Sequence, residues 1–222
     1  MPKVLKSSMS GSNKQTFIVD FDDFSSVNPG YDLLLKLREH FPNFKTTLFT
    51  VPFSIKYFTK EVPLSKLKMW AKNVMEQSDW LEIAPHGFAH LKGEWLIEDK
   101  KRINIQLSAM ENLFKQIGMK FVKVFKAPFW EYTKQVEEVL MERGYTLAVD
   151  RNRPLIRTPI DVYVWNWSID EKIPEYHTIK AHGHIHGTNN GLNKCFPNLL
   201  KIPENSKFEF ISEHLWKNTH QK

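Results

Sequence analysis

Three clusters in this sequence carry side chains able to hold a cation or move a proton. The run IAPHGFAH places His86 and His90 four residues apart around a Gly and an Ala. FIVDFDDFSS ends an apolar segment with Asp20, Asp22 and Asp23. HTIKAHGHIHG holds four of the nine histidines, His177, His182, His184 and His186. Two histidines four apart on a helical turn point the same way, so one ion can take both. Acids crowded at the end of an apolar strand repel one another unless something positive sits among them, and a divalent cation is the most direct partner. One carboxylate from this run would complete a two-His, one-carboxylate face with open coordination positions, which suits catalysis. In the third cluster, alternation puts Thr178, Lys180, His182 and His184 on one strand face, and one of the two histidines would act as a general acid near neutral pH. The ordinary alternatives are a helix start capped by Asp22 or Asp23, polar histidines at a helix end, and a His-rich loop. Capping does not account for three acids, whereas His177 and His186 fit the loop reading.

The elements that must position these groups follow from periodicity. TFIVDFDD reads as a buried strand, followed by a helix in which Leu33, Leu37 and Phe41 recur at spacing four. The alternation continues through KTTLFTV, a helix over about residues 65 to 78, WLEIA, and a helix whose Ile103, Leu107, Met110, Phe114 and Ile117 form one apolar stripe. KFVKVFKAP, a helix carrying Val136, Val139 and Leu140 and stopping at Gly144, then YTLAVD, DVYVWNW and HTIKAHGH complete the series. About seven strands alternating with helices imply a parallel sheet closed, or nearly closed, into a βα barrel. In such folds the loops at the carboxyl ends of the strands converge on one cleft, and the acids, the histidines, Lys126 and Pro128 all fall at those ends.

Composition narrows the classes. With 222 residues, 41% of them apolar, the chain suits one domain over residues 16–222 behind a polar, flexible tail over 1–15. The single Cys195 excludes an internal disulfide, and no apolar run near the start is long enough for a signal peptide or a membrane span, so a cytoplasmic location is expected. The net charge of +6 is dispersed over scattered lysines, and no nucleic-acid partner is expected. Of the aromatics near the clusters, Phe88, Phe129, Trp130, Trp165 and Trp167, core packing is expected for Trp165, and Trp130 is the better sugar platform.

The order of the motifs resembles the polysaccharide deacetylases of the NodB-homology type, carbohydrate esterases with a distorted (β/α)7 barrel. DFDDF at 20–24 resembles the family's T-F-D-D-G in its F-D-D core, and HGFAH at 86–90 matches H-S/T-x-x-H at both histidines. KAPF at 126–129 looks like R-x-P-Y, and IKAHGH looks like the strand that ends in L-x-H-D. The remaining motif, an Asp near a Trp, is met loosely by Asp150 or by WNWSID. Gly87, Lys126 and Phe129 depart from the pattern and mark a divergent branch. The resemblance implies Asp22 as general base and Asp23, His86 and His90 as ligands of a divalent metal, zinc first. It also implies a Phe129 backbone N–H in the oxyanion hole, Lys126 in the place of the Arg that orients the base, and His182 or His184 as the acid. The implied reaction removes an N-acetyl or O-acetyl group from a sugar or polysaccharide. Two rivals share short motifs: a haloacid-dehalogenase-like phosphatase with Asp20 as nucleophile, and a calcineurin-like metallophosphoesterase through GHIH at 183–186. A barrel that binds glycan without turnover is the non-enzymatic alternative.

Overall fold

The structure, a computed structural model, describes residues 14–27, 30–53, 62–152, 158–185, 187 and 189–220. The chain runs β1 (Thr16–Phe24), α1 (Tyr31–His40), β2 (Thr46–Thr50), α2 (Leu64–Met75), β3 (Leu81–Pro85), α3 (Lys100–Ile117) and β4 (Val124–Lys126). A 3-10 turn (Pro128–Trp130) leads to α4 (Lys134–Glu142), β5 (Thr146–Val149), β6 (Val162–Val164), β7 (Trp167–Ser168) and β8 (Thr178–His184). The chain then forms α5 (Leu192–Leu199), β9 (Lys207–Phe208) and α6 (Ile211–His220). Every strand pairing is parallel, in the orders β3-β2-β1-β8-β7, with β9 beside the start of β1, and β4-β5-β6.

Two seams turn these sheets into a distorted (β/α)7 barrel. At one, the Val122 N–H donates to the Ile83 carbonyl at 2.9 Å, joining the β3 edge to the segment that enters β4. At the other, the expected single strand DVYVWNW divides: β6 pairs with β5, and β7 pairs with β8. Asn166 makes the division, because its N–H donates to the Lys180 carbonyl (2.9 Å) while its side-chain oxygen accepts from the Lys180 N–H (2.8 Å). Together β6 and β7 occupy one strand's place.

Strand alternation sorts side chains into two layers. Phe17, Val19 and Phe21 point outward into the core under the helices, where the α3 stripe Ile103, Leu107, Met110, Phe114 and Ile117 is buried as its spacing requires. Asp99 caps α3 through the N–H groups of Lys101 and Arg102, and Gly118, at φ 79°, ends it. Helix α1 differs in detail: it stops at His40, and its buried ridge is Leu34 and Leu37, with Leu33 only partly covered. The inner layer takes one residue from each of β1 to β6, namely Ile18, Phe49, Ala84, Val124, Ala148 and Tyr163, and is closed below by Ile211 of α6.

The C-terminal α6, which the periodicity reading did not identify, plugs the amino-terminal end of the barrel. Buried Glu82 accepts from the Thr47 hydroxyl (2.8 Å) and from the N–H and hydroxyl of Ser212 in the first turn of α6. Burial pushes its carboxyl above the ordinary range, against those hydrogen bonds. With that end filled, the carboxyl ends of the strands are left for the site. Of the tail expected over 1–15, only residues 14 and 15 lie among the described residues. Gln15 there is tied down, its side chain donating to the Tyr176 carbonyl at 3.0 Å. Among the described residues no helix is long and apolar enough to cross a membrane.

Candidate metal centre and active site

Parity along the strands delivers most of the site. Asp20 and Asp22 continue the inward face that Ile18 begins, and Lys126 lies two residues beyond Val124 on β4. In the β1–β8 register Asp20 stands beside His182 and Asp22 beside His184. Lys126, wholly buried, donates from Nζ to Asp20 Oδ1 at 2.6 Å and Asp22 Oδ1 at 2.7 Å, and sits 3.8 Å from the centre of the Phe49 ring. Two carboxylates compensate the hydration that an ammonium loses on burial there. His182 Nδ1 lies 2.9 Å from Asp20 Oδ1. A carboxylate only accepts, and Asp20 is nearer to Nδ1 than the Lys126 ammonium at 3.3 Å, so Nδ1 carries the proton and Nε2 faces Asp22 Oδ2, at 3.9 Å.

Asp22 and Asp23 are neighbours, and an extended strand would send them to opposite faces. A bulge resolves this: between Phe21 and Phe24 the β1–β2 register shifts, and Asp23 takes φ 67°. Its Oδ1 comes to lie 2.9 Å from His90 Nε2 and 3.6 Å from His86 Nε2. His86 Nδ1 donates to the Lys126 carbonyl at 2.9 Å, which leaves Nε2 to face Asp23.

The expected helical turn between His86 and His90 does not form. Pro85 ends β3, Gly87 adopts φ 72° and His90 φ 55°, so the segment is a loop, yet it brings the two rings within 5.0 Å. A helix is replaced because the loop's N–H groups find a side-chain acceptor: Glu94 accepts from Phe88 (2.5 Å), Ala89 (3.2 Å) and Leu91 (3.1 Å). Gly87 stands where the motif that HGFAH resembles has Ser or Thr, and a Cβ there would lie 2.5 Å from Pro128 Cγ. The non-glycine residues with positive φ among the described ones are Asp23, His90, Phe129 and Trp130, all at this site. Left-handed backbone costs on the order of 1 kcal/mol or more per residue, and its concentration here marks a place where geometry outranks local preference.

Charges of both signs meet at the centre. Burial pushes Asp23 up, but hydrogen bonds and charge from His86 and His90 outweigh it and hold the carboxyl far below the usual range. Burial likewise raises Asp22, and the charges of Lys126, His86, His182 and His184 overcome it, leaving the carboxyl well below the ordinary value. His86 is pushed up, Asp22 and Asp23 together exceeding the opposing effect of burial. Burial holds His184 down, in spite of Asp22. Asp23, His86 and His90 offer one ligand atom each, mutually within 4.8 Å, which fits a divalent cation in chemistry and spacing.

The other candidates divide. Phe129 is 43% exposed beside the His90 ring, at 4.9 Å, in the turn after β4. Trp130, expected as a platform, packs partly against the His182 ring and the inner core, so Phe129 is the more open aromatic face. Trp165 is buried in the inner core, as expected, with its ring 5.1 Å from that of His182. Neither version of the loose motif supplies the partner of His182: Asp150 accepts from the Asn152 N–H, Asp170 from the Ser168 hydroxyl, and the carboxylate on His182 is Asp20. Helix capping by Asp22 or Asp23 is not found, for α1 begins after Gly30. His186 lies outside the described residues. Sequence reasoning did not assign Asp20 to His182, Glu94 to the His90 loop, or Asn190 to His184 Nδ1 (2.9 Å). Only the first left a signal, since Asp20 shares its parity with Asp22.

No family model matches this sequence, and no curated protein matches it either. Solved structures do. The chain is similar to the peptidoglycan deacetylase PdaC of Bacillus subtilis, with TM-score 0.60 and 10% identity over 94% of each chain. It is also similar to the Xyl-CE4 domain of a multidomain xylanase from the hindgut metagenome of Trinervitermes trinervoides, with TM-score 0.58 and 13% identity, over 93% of this chain and 92% of that one. A CE4 family pseudoenzyme from Bacillus anthracis aligns with TM-score 0.57 and 14% identity, over 90% of this chain and 65% of the other. At these identities the likeness establishes the fold, a barrel of the carbohydrate esterase family 4 type.

Proposed function

We propose that this protein is a divergent, metal-dependent deacetylase of that family, acting on an acetylated sugar or polysaccharide. The carrying observation is that Asp23, His86 and His90 converge beside a second, differently held carboxylate, Asp22, which faces a histidine oriented by Asp20. Asp23, His86 and His90 would hold a divalent metal, zinc suiting the His2Asp set, to supply Lewis-acid activation of the attacking water and the acetyl carbonyl. Asp22 is the base: Oδ1 is committed to Lys126, and Oδ2 receives the proton of the attacking water. Lys126, in the place of the family's Arg, orients that base and keeps it ionised. His182 is the acid: in its doubly protonated form the Nδ1–H stays on the Asp20 carboxylate while the Nε2 proton passes to the leaving nitrogen or oxygen, which leaves the ring neutral. The backbone N–H of Phe129 would serve the developing oxyanion, and its exposed ring beside His90 offers the sugar an apolar surface.

PdaC and the xylanase domain support this reading as relatives in fold, while the pseudoenzyme shows that the fold alone does not carry activity. Retention of a base beside the ligand set favours turnover over mere glycan binding. The phosphatase reading is disfavoured, since Asp20 is buried beneath Lys126 and His182 and no substrate phosphorus can approach it. The test is acetate release from N-acetylated amino-sugar oligomers and O-acetylated xylan, with and without chelator. Release that stops on chelation and returns with zinc is expected. Release unaffected by exhaustive chelation refutes the metal role.

A further inference from the structure

His184 is left over from this mechanism. It is nonetheless placed with care: its Nδ1 contacts Asn190 Oδ1 at 2.9 Å, its Nε2 lies 3.9 Å from Asp22 Oδ2, and its ring is 5.1 Å from that of His182. Histidines that ligate metals usually have the far nitrogen held by a carboxylate, carbonyl or amide oxygen, so that the near one is aimed. Both histidines here meet that condition, His182 through Asp20 and His184 through Asn190. With Asp22 Oδ2 they present a second His2Asp set whose ligand atoms lie within 4.8 Å of one another. The His184 side chain is 21% exposed, which opens the set to solvent.

We infer that Asp22, His182 and His184 form a second, weaker cation site, and that an ion seated there switches the enzyme off by taking the base and the acid together. This rests on the deacetylase reading above for its effect on activity, although not for the binding itself. Weakness follows from Lys126, whose Nζ lies 2.7 Å from Asp22 and 3.3 Å from His182, so an incoming cation meets a fixed positive charge. The ammonium bonds directly to Asp22 and touches His182, whereas Asp23 already lies between the two histidines of its own set, at 2.9 and 3.6 Å, so that set fills first. Binding at the second set releases the Nε2 proton of His182 to solvent and takes the lone pair of each Nε2 and the open oxygen of Asp22. Proton transfer then has neither donor nor acceptor.

The experiment is equilibrium dialysis of the full chain against graded free Zn2+, with bound metal read by mass spectrometry and acetate release followed in parallel. The wild type is expected to take one equivalent tightly and a second at least about 10-fold more weakly, with turnover rising on the first and falling on the second. His184→Ala should take only the first. Asn190→Ala, which leaves every ligand in place, should weaken the second by about 10- to 100-fold and spare the first. His90→Ala should lose the tight equivalent and keep the weak one. Saturation of the wild type at one equivalent overturns the inference and leaves the deacetylase reading standing. So does a second equivalent that persists unchanged in both His184→Ala and Asn190→Ala. A wild type that takes no metal at all refutes both.

Discussion

Replacing Lys126 by Met keeps the length of the side chain and removes its charge from between two buried carboxylates. Lys126 and Asp20 are wholly buried and Asp22 is 2% exposed, so water cannot take over from the lost ammonium. At an effective dielectric of about 20, each contact near 2.7 Å corresponds to an attraction of about 6 kcal/mol, against which the desolvation of all three groups must be set. Removing one partner of a buried pair usually costs about 3–5 kcal/mol, which for a chain of this size is a fall in Tm of roughly 10 °C. The cost should depend on pH. Asp22 is held below its unfolded value, so its stabilisation is complete above that value, near 4, and is lost only as pH falls through the lower folded one. Without Lys126 the Asp22 carboxyl rises and begins to take up a proton at higher pH. The gap between wild type and Lys126→Met is therefore widest near pH 7.5 and narrows toward pH 5. Urea melts of both metal-free proteins at the two pH values measure it. A cost under about 1 kcal/mol at pH 7.5, or a gap that widens on acidification, would refute the buried charge triad.

Further outcomes follow from the same contacts. Asp20→Asn should leave the tight equivalent of zinc unchanged and lower kcat by about 100-fold or more, with the pH profile of kcat/KM displaced, because His182 loses the group that fixes its tautomer; an unchanged profile would remove Asp20 from the mechanism. Glu94→Gln should weaken zinc binding by about 10-fold through the His90 loop, measured by competition with a fluorescent chelator. Gly87→Ala should destabilise the fold by about 1–3 kcal/mol, since φ 72° and the approach to Pro128 both oppose a Cβ, and thermal melts would show it.

The alternating strands, the α3 stripe and the inward parity of Asp20, Asp22, Lys126, His182 and His184 are all legible in the sequence, because period and parity are local properties of the chain. The closure of the barrel into a site is not, because it depends on backbone choices that side-chain patterns do not announce. Asp23 joins the centre through a bulge, and His90 reaches it through a loop that Glu94 holds, where spacing alone pointed to a helical turn. The break between β6 and β7 likewise turns on one side chain, Asn166, imitating a strand neighbour. Helix α6 is not picked out by the alternation because its buried contacts come from Ile211 and Ser212 at its first turn, with Leu215 only partly covered behind them.

The most direct measurement pairs bound metal with acetate release in the wild type, Asp22→Asn and Asp23→Asn, all dialysed against one tight equivalent of zinc. If Asp22 is the base and Asp23 a ligand, Asp22→Asn keeps the metal and loses turnover by about 100- to 10,000-fold, whereas Asp23→Asn loses both. Metal lost from Asp22→Asn and kept by Asp23→Asn would reverse the two roles. A zinc-loaded wild type that binds acetylated oligomers and releases no acetate from any of them would contradict the deacetylase assignment itself.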